Sequence, residues 1–278
     1  MEIKFFGAWW GLDHLGLKGM VKKVKSAGYD GIEIGIPKDE KLRYELQRLL
    51  EDFDLEIIAH QYEATGTNPA EYADSLKYFM DIAAAFKPIS INSHTGKDFW
   101  PMESNLQFVD LCDPVEKIYG VPILHETHRG RFLYAPSVAS EYFHKRPNLK
   151  INFDLSHWCC VSESLLEDQT EAVHLAIARA HHIHARVGHA QGPQITDIKN
   201  PYWDNEIQVF TNWWKEVYLA RKRDGNPSIT ITPEFGPLPY APINDKGTMA
   251  YINFFEQNLI VMEYLKECEQ QWKLELSQ

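Results

Sequence analysis

The chain has 278 residues, 44% hydrophobic and 24% charged, which is the balance of a globular protein with a substantial core and excludes a disordered one. Its formal net charge of -11 opposes nucleic-acid binding, whose affinity comes mostly from Lys and Arg neutralising phosphates. The amino terminus lacks the basic and apolar regions of a signal peptide, and no run approaches the roughly 18 apolar residues of a membrane span.

Four cysteines, Cys112, Cys159, Cys160 and Cys268, form no CxxC pair and read as small buried apolar residues of a protein in a reducing compartment. The expectation is a cytoplasmic protein with no nucleic-acid and no membrane partner. No sustained heptad pattern argues for a particular assembly, so a homo-oligomer stays open.

In chain order, eight short segments rich in β-branched and aromatic residues read as buried strands: 2–6, 31–35, 55–60, 89–93, 121–126, 150–154, 182–187 and 228–234. Between them lie stretches of helical period at 17–27, 40–53, 69–86, 105–119, 167–180, 206–223 and 249–272. A shorter helix over 135–144 has Pro136 near its start, which suits a first turn. Residues 191–203, with Gly192, Pro193, Asn200 and Pro201 and no clear period, read as a long loop on the active face.

Most strand starts recur every roughly 25 to 35 residues, the spacing of crossover units that feed a parallel sheet. Right-handed crossovers repeated eight times close most economically into a barrel, so the predicted fold is α/β, a single (β/α)8 TIM barrel over residues 1–278. A doubly wound open sheet is the structural alternative. No Gly-x-Gly-x-x-Gly turn follows the first strand to support it.

In such a barrel the informative residues are ionisable groups where a strand ends and its βα loop begins. Those positions hold His60, His94, Glu126, Asp154 with His157, His184 and Glu234. A lone His there is more often a packing residue than a ligand. The carboxylates differ, because Glu126, Asp154 and Glu234 directly follow runs of buried type, where a charge is costly unless paired, hydrogen-bonded or bound to a cation.

Salt bridges to Arg129, Arg131, Lys97 or Arg186 are one way to close such a mouth. A divalent cation among three carboxylates and several imidazoles is the more direct way. Three oxygen ligands and one imidazole suit manganese, magnesium or cobalt, with zinc also tolerated.

The pattern of strand ends resembles the xylose isomerase-like barrels, a group of sugar isomerases and epimerases that includes ketose 3-epimerases, hydroxypyruvate isomerase and inositol-catabolism isomerases. Members of that sugar-acting branch place a metal-binding Glu after strand five, an Asp and a His three residues later after strand six, a His on strand seven and a Glu on strand eight. Glu126, Asp154 with His157, His184 and Glu234 match these positions. The stretch Asp154-Leu-Ser-His157 is the most telling.

Strand seven departs from the family, reading His182-Ile-His184-Ala-Arg186 without the usual Lys-Asp or Asn pair. Alternation puts His182 and His184 on one barrel side. His184 lies closer to the rim and is the preferred ligand, with His182 its competitor.

The resemblance implies one divalent metal held by Glu126, Asp154, His184 and Glu234, and proton transfer next to a carbonyl through a metal-stabilised enediolate. Glu126 and Glu234, on opposite sides of the mouth, would be both ligands and the catalytic acid and base. His157 and Arg186 would hold substrate oxygens, with His60, His94 and Trp10 as further groups around a small-molecule sugar. Trp9, Trp10, Trp100, Trp158 and Trp203 fall in predicted active-face loops, where they would either pack on a sugar or cap the barrel.

Arg129, Arg131 and Lys97 could meet a phosphate or carboxylate. Endonuclease IV, a distant multi-zinc relative, adds His residues on strands three and four, where His60 and His94 stand, but its Asp-x-His pair after strand seven has no match here. That phosphodiesterase activity and a barrel that binds sugar without catalysis are the two alternatives.

Overall fold

The computed structural model describes residues 1–241 and 253–276. Its strands are β1 (Glu2–Ala8), β2 (Gly31–Ile34), β3 (Glu56–Gln61), β4 (Ile91–Ser93), β5 (Ile123–Glu126), β6 (Ile151–Phe153), β7 (Ala180–Ala185) and β8 (Ser228–Pro233). All pair in parallel and in sequence order, and β8 returns to β1 with Ile3 opposite Ile229, so the sheet is a closed barrel. That closure rules out the open doubly wound sheet. Apolar strand residues such as Ile32, Ile58, Ile91, Ile151, Ile183 and Ile231 are buried in the core.

The helices are α1 (Gly16–Ser26), α2 (Glu40–Phe53), α3 (Pro69–Ala85), α4 (Met102–Tyr119), α5 (Pro136–Lys145), α6 (Ser156–Ser162), α7 (Thr170–Ile177), α8 (Asp204–Arg223) and α9 (Phe254–Glu275). Several starts are written in the sequence. Asp39 accepts a hydrogen bond from the Leu42 amide, and Asn68 accepts one from Glu71 with Pro69 in the first turn. Pro136 opens α5 as expected, because its missing N–H lies where no helical partner exists. Trp214 on α8 is buried in the core, while Trp213 packs against it half-buried.

Several boundaries shift by two or three residues, as for β7 over Ala180–Ala185 where 182–187 was expected, and two regions differ more. The helix predicted over 167–180 is α7, which stops at Ile177, and Ala180 already belongs to β7. A separate short helix, α6, begins where a loop was expected after Asp154. The Asp154 carboxylate causes this: its Oδ1 accepts from both the amide and the hydroxyl of Ser156, at 2.9 and 2.5 Å, and so fixes the first turn. Of the helix predicted over 249–272, residues 249–252 lie outside the described residues. Among the described residues no helix is long and apolar enough to cross a membrane.

Candidate active site

The carboxyl ends of the strands carry a buried polar lattice. Glu126 at the end of β5 is 2% exposed, and its Oε2 accepts from Asn92 on β4 at 2.8 Å and from Asn152 on β6 at 3.2 Å. His184 on β7 turns Nδ1 toward the carboxylates, 2.8 Å from Glu234 Oε2 and 3.7 Å from Glu126 Oε2. Asp154, just past β6, is fully buried. Glu126, Asp154 and His184 each offer a donor atom, and these atoms lie within 4.8 Å of one another. Glu234 joins them through its approach to His184.

His182 does not join them. It sits one step deeper, with Nδ1 on the carbonyl and hydroxyl of Thr230 at 3.0 and 2.8 Å and Nε2 3.2 Å from Glu33. The structure thus brings His184 to the carboxylates of Glu126, Asp154 and Glu234, and groups His182 with His184 and Glu33 instead.

Glu33 is the residue that sequence reading missed. It lies on β2, 2% exposed, with both carboxylate oxygens 3.0 Å from His184 Nε2, and it accepts further from Thr232 Oγ1 at 2.6 Å and Asn92 Nδ2 at 3.0 Å. An acid inside the apolar run Gly31-Ile-Glu33-Ile was the available signal.

Charges here shape one another. Burial pushes the Glu33 carboxyl up, but His184 and His182 beside it hold it well below the usual range. Burial likewise opposes the charge on His184, and Glu234, Glu33 and Glu126 around it outweigh that, holding the imidazole well above its ordinary value. For Glu126, too, burial is overcome, here by His94 and His184, and the carboxyl stays low. Burial raises Asp154, with Arg186 opposing and Glu126 and Glu234 adding to the rise.

Arg186 occupies a place of its own. Buried on the segment after β7, it reaches Asp154 Oδ2 through a very short contact from Nη2, lies 2.8 Å from His157 Nε2, and has Nη1 3.3 Å from Glu234 Oε2. The salt-bridged closure considered from sequence is thus present at Asp154. At Glu234 Oε2 the ion pair with Arg186 lacks the alignment of a hydrogen bond, as does the approach of His184 Nδ1, so both are buried atoms with no hydrogen-bond partner.

Two orphaned donor atoms of metal-ligand type, facing a third carboxylate, fit a divalent cation held by Glu126, His184 and Glu234, with Asp154 shared between it and Arg186. His184 would bind through Nδ1 while Nε2–H donates to Glu33, the usual arrangement for a metal-binding His.

A cavity of about 300 Å³ opens above, lined by Trp9, Trp10, His60, Tyr62, His94, Glu126, His128, Arg131, Arg186, Glu234 and Tyr240. Of the groups expected around a substrate, the structure places His60, His94, Arg186 and Trp10 in its wall. Nε2 of His60 faces Nε2 of His94 at 3.2 Å, and the latter is also 3.2 Å from Glu126 Oε2. Burial and then His94 lower His60 to about 4, which leaves it neutral. The Trp10 ring packs close against Gly236, where a Cβ would fall 2.1 Å from it.

His157 lies behind the wall, fully buried against His128 and Arg186. Of the other tryptophans, Trp9 stacks with Tyr62 over the cavity. Trp158 does not lie in a loop: it is wholly buried in α6 and donates to the Leu133 carbonyl at 2.7 Å. Trp100 packs on Tyr72 and Phe108, and Trp203 on His189, outside the cavity.

Residues 21–194, well over half of the chain, match the family model described as the xylose isomerase-like TIM barrel. The chain belongs to that family. Solved structures agree on the fold. A D-tagatose 3-epimerase-like protein superposes with a TM-score of 0.65 at 16% identity, covering 98% of this chain and 99% of its own. The 3-keto-D-glucoside 4-epimerase YcjR of E. coli gives 0.62 at 12%, covering 96% and 100%. A xylose isomerase-like TIM barrel protein from Mycobacterium smegmatis in complex with magnesium gives 0.61 at 11%, covering 95% and 97%. At these identities the likeness carries the fold alone. No curated protein matches the sequence.

Proposed function

We propose that the protein is a divalent-metal-dependent sugar isomerase or epimerase that moves a proton at a carbon next to a carbonyl. The observation that carries the reading is the pair Glu126 and Glu234, which line one cavity from β5 and β8 and both face His184 Nδ1. When bound among Glu126, Asp154, His184 and Glu234, manganese, magnesium, cobalt or zinc would supply a positive centre that polarises the carbonyl.

The protein's own residues do the rest. One of the two glutamates takes the proton from the sugar carbon and the other returns one, which from opposite faces inverts the centre and from one face shifts the carbonyl. Arg186 holds a substrate oxygen and keeps Asp154 in place, and its charge meets negative charge developing on that oxygen. Trp9, Trp10 and Tyr240 exclude water and pack against the C–H faces of the ring. The four cysteines are all unpaired, which fits the cytoplasmic setting expected for the chain.

Glu126→Gln and Glu234→Gln test the assignment through solvent deuterium entering the substrate. Each variant should abolish incorporation, and unchanged exchange in either removes that residue from the chemistry.

One observation favours a second reading, a multi-zinc phosphodiesterase like endonuclease IV. The His60, His94 and Glu126 donor atoms also lie within 4.8 Å of one another and could hold a further ion. The net charge of -11 opposes a DNA substrate. Two or three bound zinc ions with cleavage of abasic DNA would favour it over the isomerase.

A further inference from the structure

The cavity that holds Glu126 and Glu234 also holds a cation with no ion-pair partner among the described residues. Arg131 lines the wall on the His94 side. Its Nη1 is buried and has no hydrogen-bond partner, and its Nη2 has only His94 Nδ1, at a long 3.4 Å. Among the described residues no carboxylate lies within ion-pair distance of it. The two buried arginines behave otherwise: Arg186 is paired with Asp154 and Glu234, and Arg221 lies 2.8 Å from Asp224. An orphaned guanidinium nitrogen at a cavity wall is costly and calls for an acceptor from outside the chain.

Two further cations stand close by. Lys97, half-buried on the loop after β4, also lacks an ion-pair partner among the described residues, and burial and the neighbouring Arg131 both pull its ammonium down. Arg129 lays its guanidinium over the Tyr240 ring, 5.1 Å from the centroid, and Tyr240 is itself part of the cavity wall. Three cations without an ion-pair partner among the described residues, in a chain whose net charge is -11, run against the global field. Like charges so placed repel unless an anion comes between them.

Building on the isomerase reading, we propose that the substrate carries an anionic group, a carboxylate or a phosphate monoester, that binds Arg131 with Lys97 and Arg129 in support. The cavity is then bipolar. Its floor, with Glu126, His184 and Glu234, takes the hydroxy-carbonyl end of the sugar, and Arg131 takes the charged end. The planar fork of a guanidinium matches either oxyanion, and a neutral sugar would offer it hydroxyl acceptors but no countercharge. The anion thereby fixes which carbon lies over the glutamates.

Calorimetric titration of the metal-loaded full chain tests this, with D-fructose, D-fructose 6-phosphate, 5-keto-D-gluconate and inorganic phosphate as probes. One anionic ketose should bind on the order of tenfold or more tighter than D-fructose, and added salt should erode the difference. Which ketose gains identifies the phosphate or the carboxylate, and inorganic phosphate should compete only with the former. In Arg131→Gln the preference should fall to near unity, and Arg131→Lys, which keeps the charge, should retain part of it.

D-fructose binding as tightly as both anions, no binding by either anion, or a preference that survives in Arg131→Gln overturns the proposal. Should Arg131→Gln not fold, the wild-type preference and the Arg131→Lys variant decide. Metal content measured in the same samples separates the two readings. Bound metal without anion preference leaves the isomerase standing, and anion preference without any metal removes the metal-dependent reading instead.

Discussion

Both carboxylate oxygens of Glu33 lie 3.0 Å from Nε2 of His184, so the imidazole donates that proton to Glu33 and leaves Nδ1 to face Glu126 and Glu234. Glu33 therefore sets which nitrogen is available for a metal. In Glu33→Gln, metal affinity should fall roughly 10- to 100-fold in a metal-buffered titration. An unchanged Kd would show that His184 is positioned by something else.

The neighbouring Arg186 already places a positive charge against Asp154 and Glu234. Replacing it by Met leaves Asp154 buried without its cation, which costs about 3–5 kcal/mol in the metal-free protein. A bound divalent ion should restore much of that loss. Thermal unfolding of Arg186→Met with chelator and with manganese checks this, and equal destabilisation in both conditions contradicts it.

Acid should weaken the fold through His125. This side chain on β5 alternates with Glu126, is buried away from the site, and is held by Thr95 Oγ1 at 2.7 Å. Burial lowers it from 6.5 to about 4. Above pH 6.5 it is neutral folded or unfolded and contributes nothing to pH dependence. Between 6.5 and 4 the unfolded chain takes up the proton and the folded chain does not, so stability falls with falling pH, by on the order of 3 kcal/mol at full extent. His125→Asn should lose correspondingly less stability between pH 7 and pH 4.5 in urea titrations.

The barrel was legible because each strand is a short buried run and each helix carries an apolar face. Helix boundaries blurred where a side chain, not a period, sets the start, as Asp154 does for α6. Candidate site residues drew attention where a charge ends a buried run, at Glu126, Asp154 and Glu234, and His184 through alternation and its place nearer the rim. Glu33 escaped because it lies within its strand, where a single acid between two isoleucines has no spacing to mark it. The union of Arg186 with Asp154 was invisible for another reason: it joins residues 32 positions apart, through a geometry that only barrel closure creates. Trp158 misled because a residue near the rim can equally well pack inward, and its N–H found a carbonyl there.

Anomalous diffraction from manganese-soaked crystals tests the central claim most directly. The account predicts a single peak in contact with Glu126, Asp154, His184 Nδ1 and Glu234, with Arg186 displaced from at least one of the two carboxylates it now touches. A peak placed instead among His60, His94 and Glu126, or no peak while Arg186 still spans Asp154 and Glu234, would contradict it.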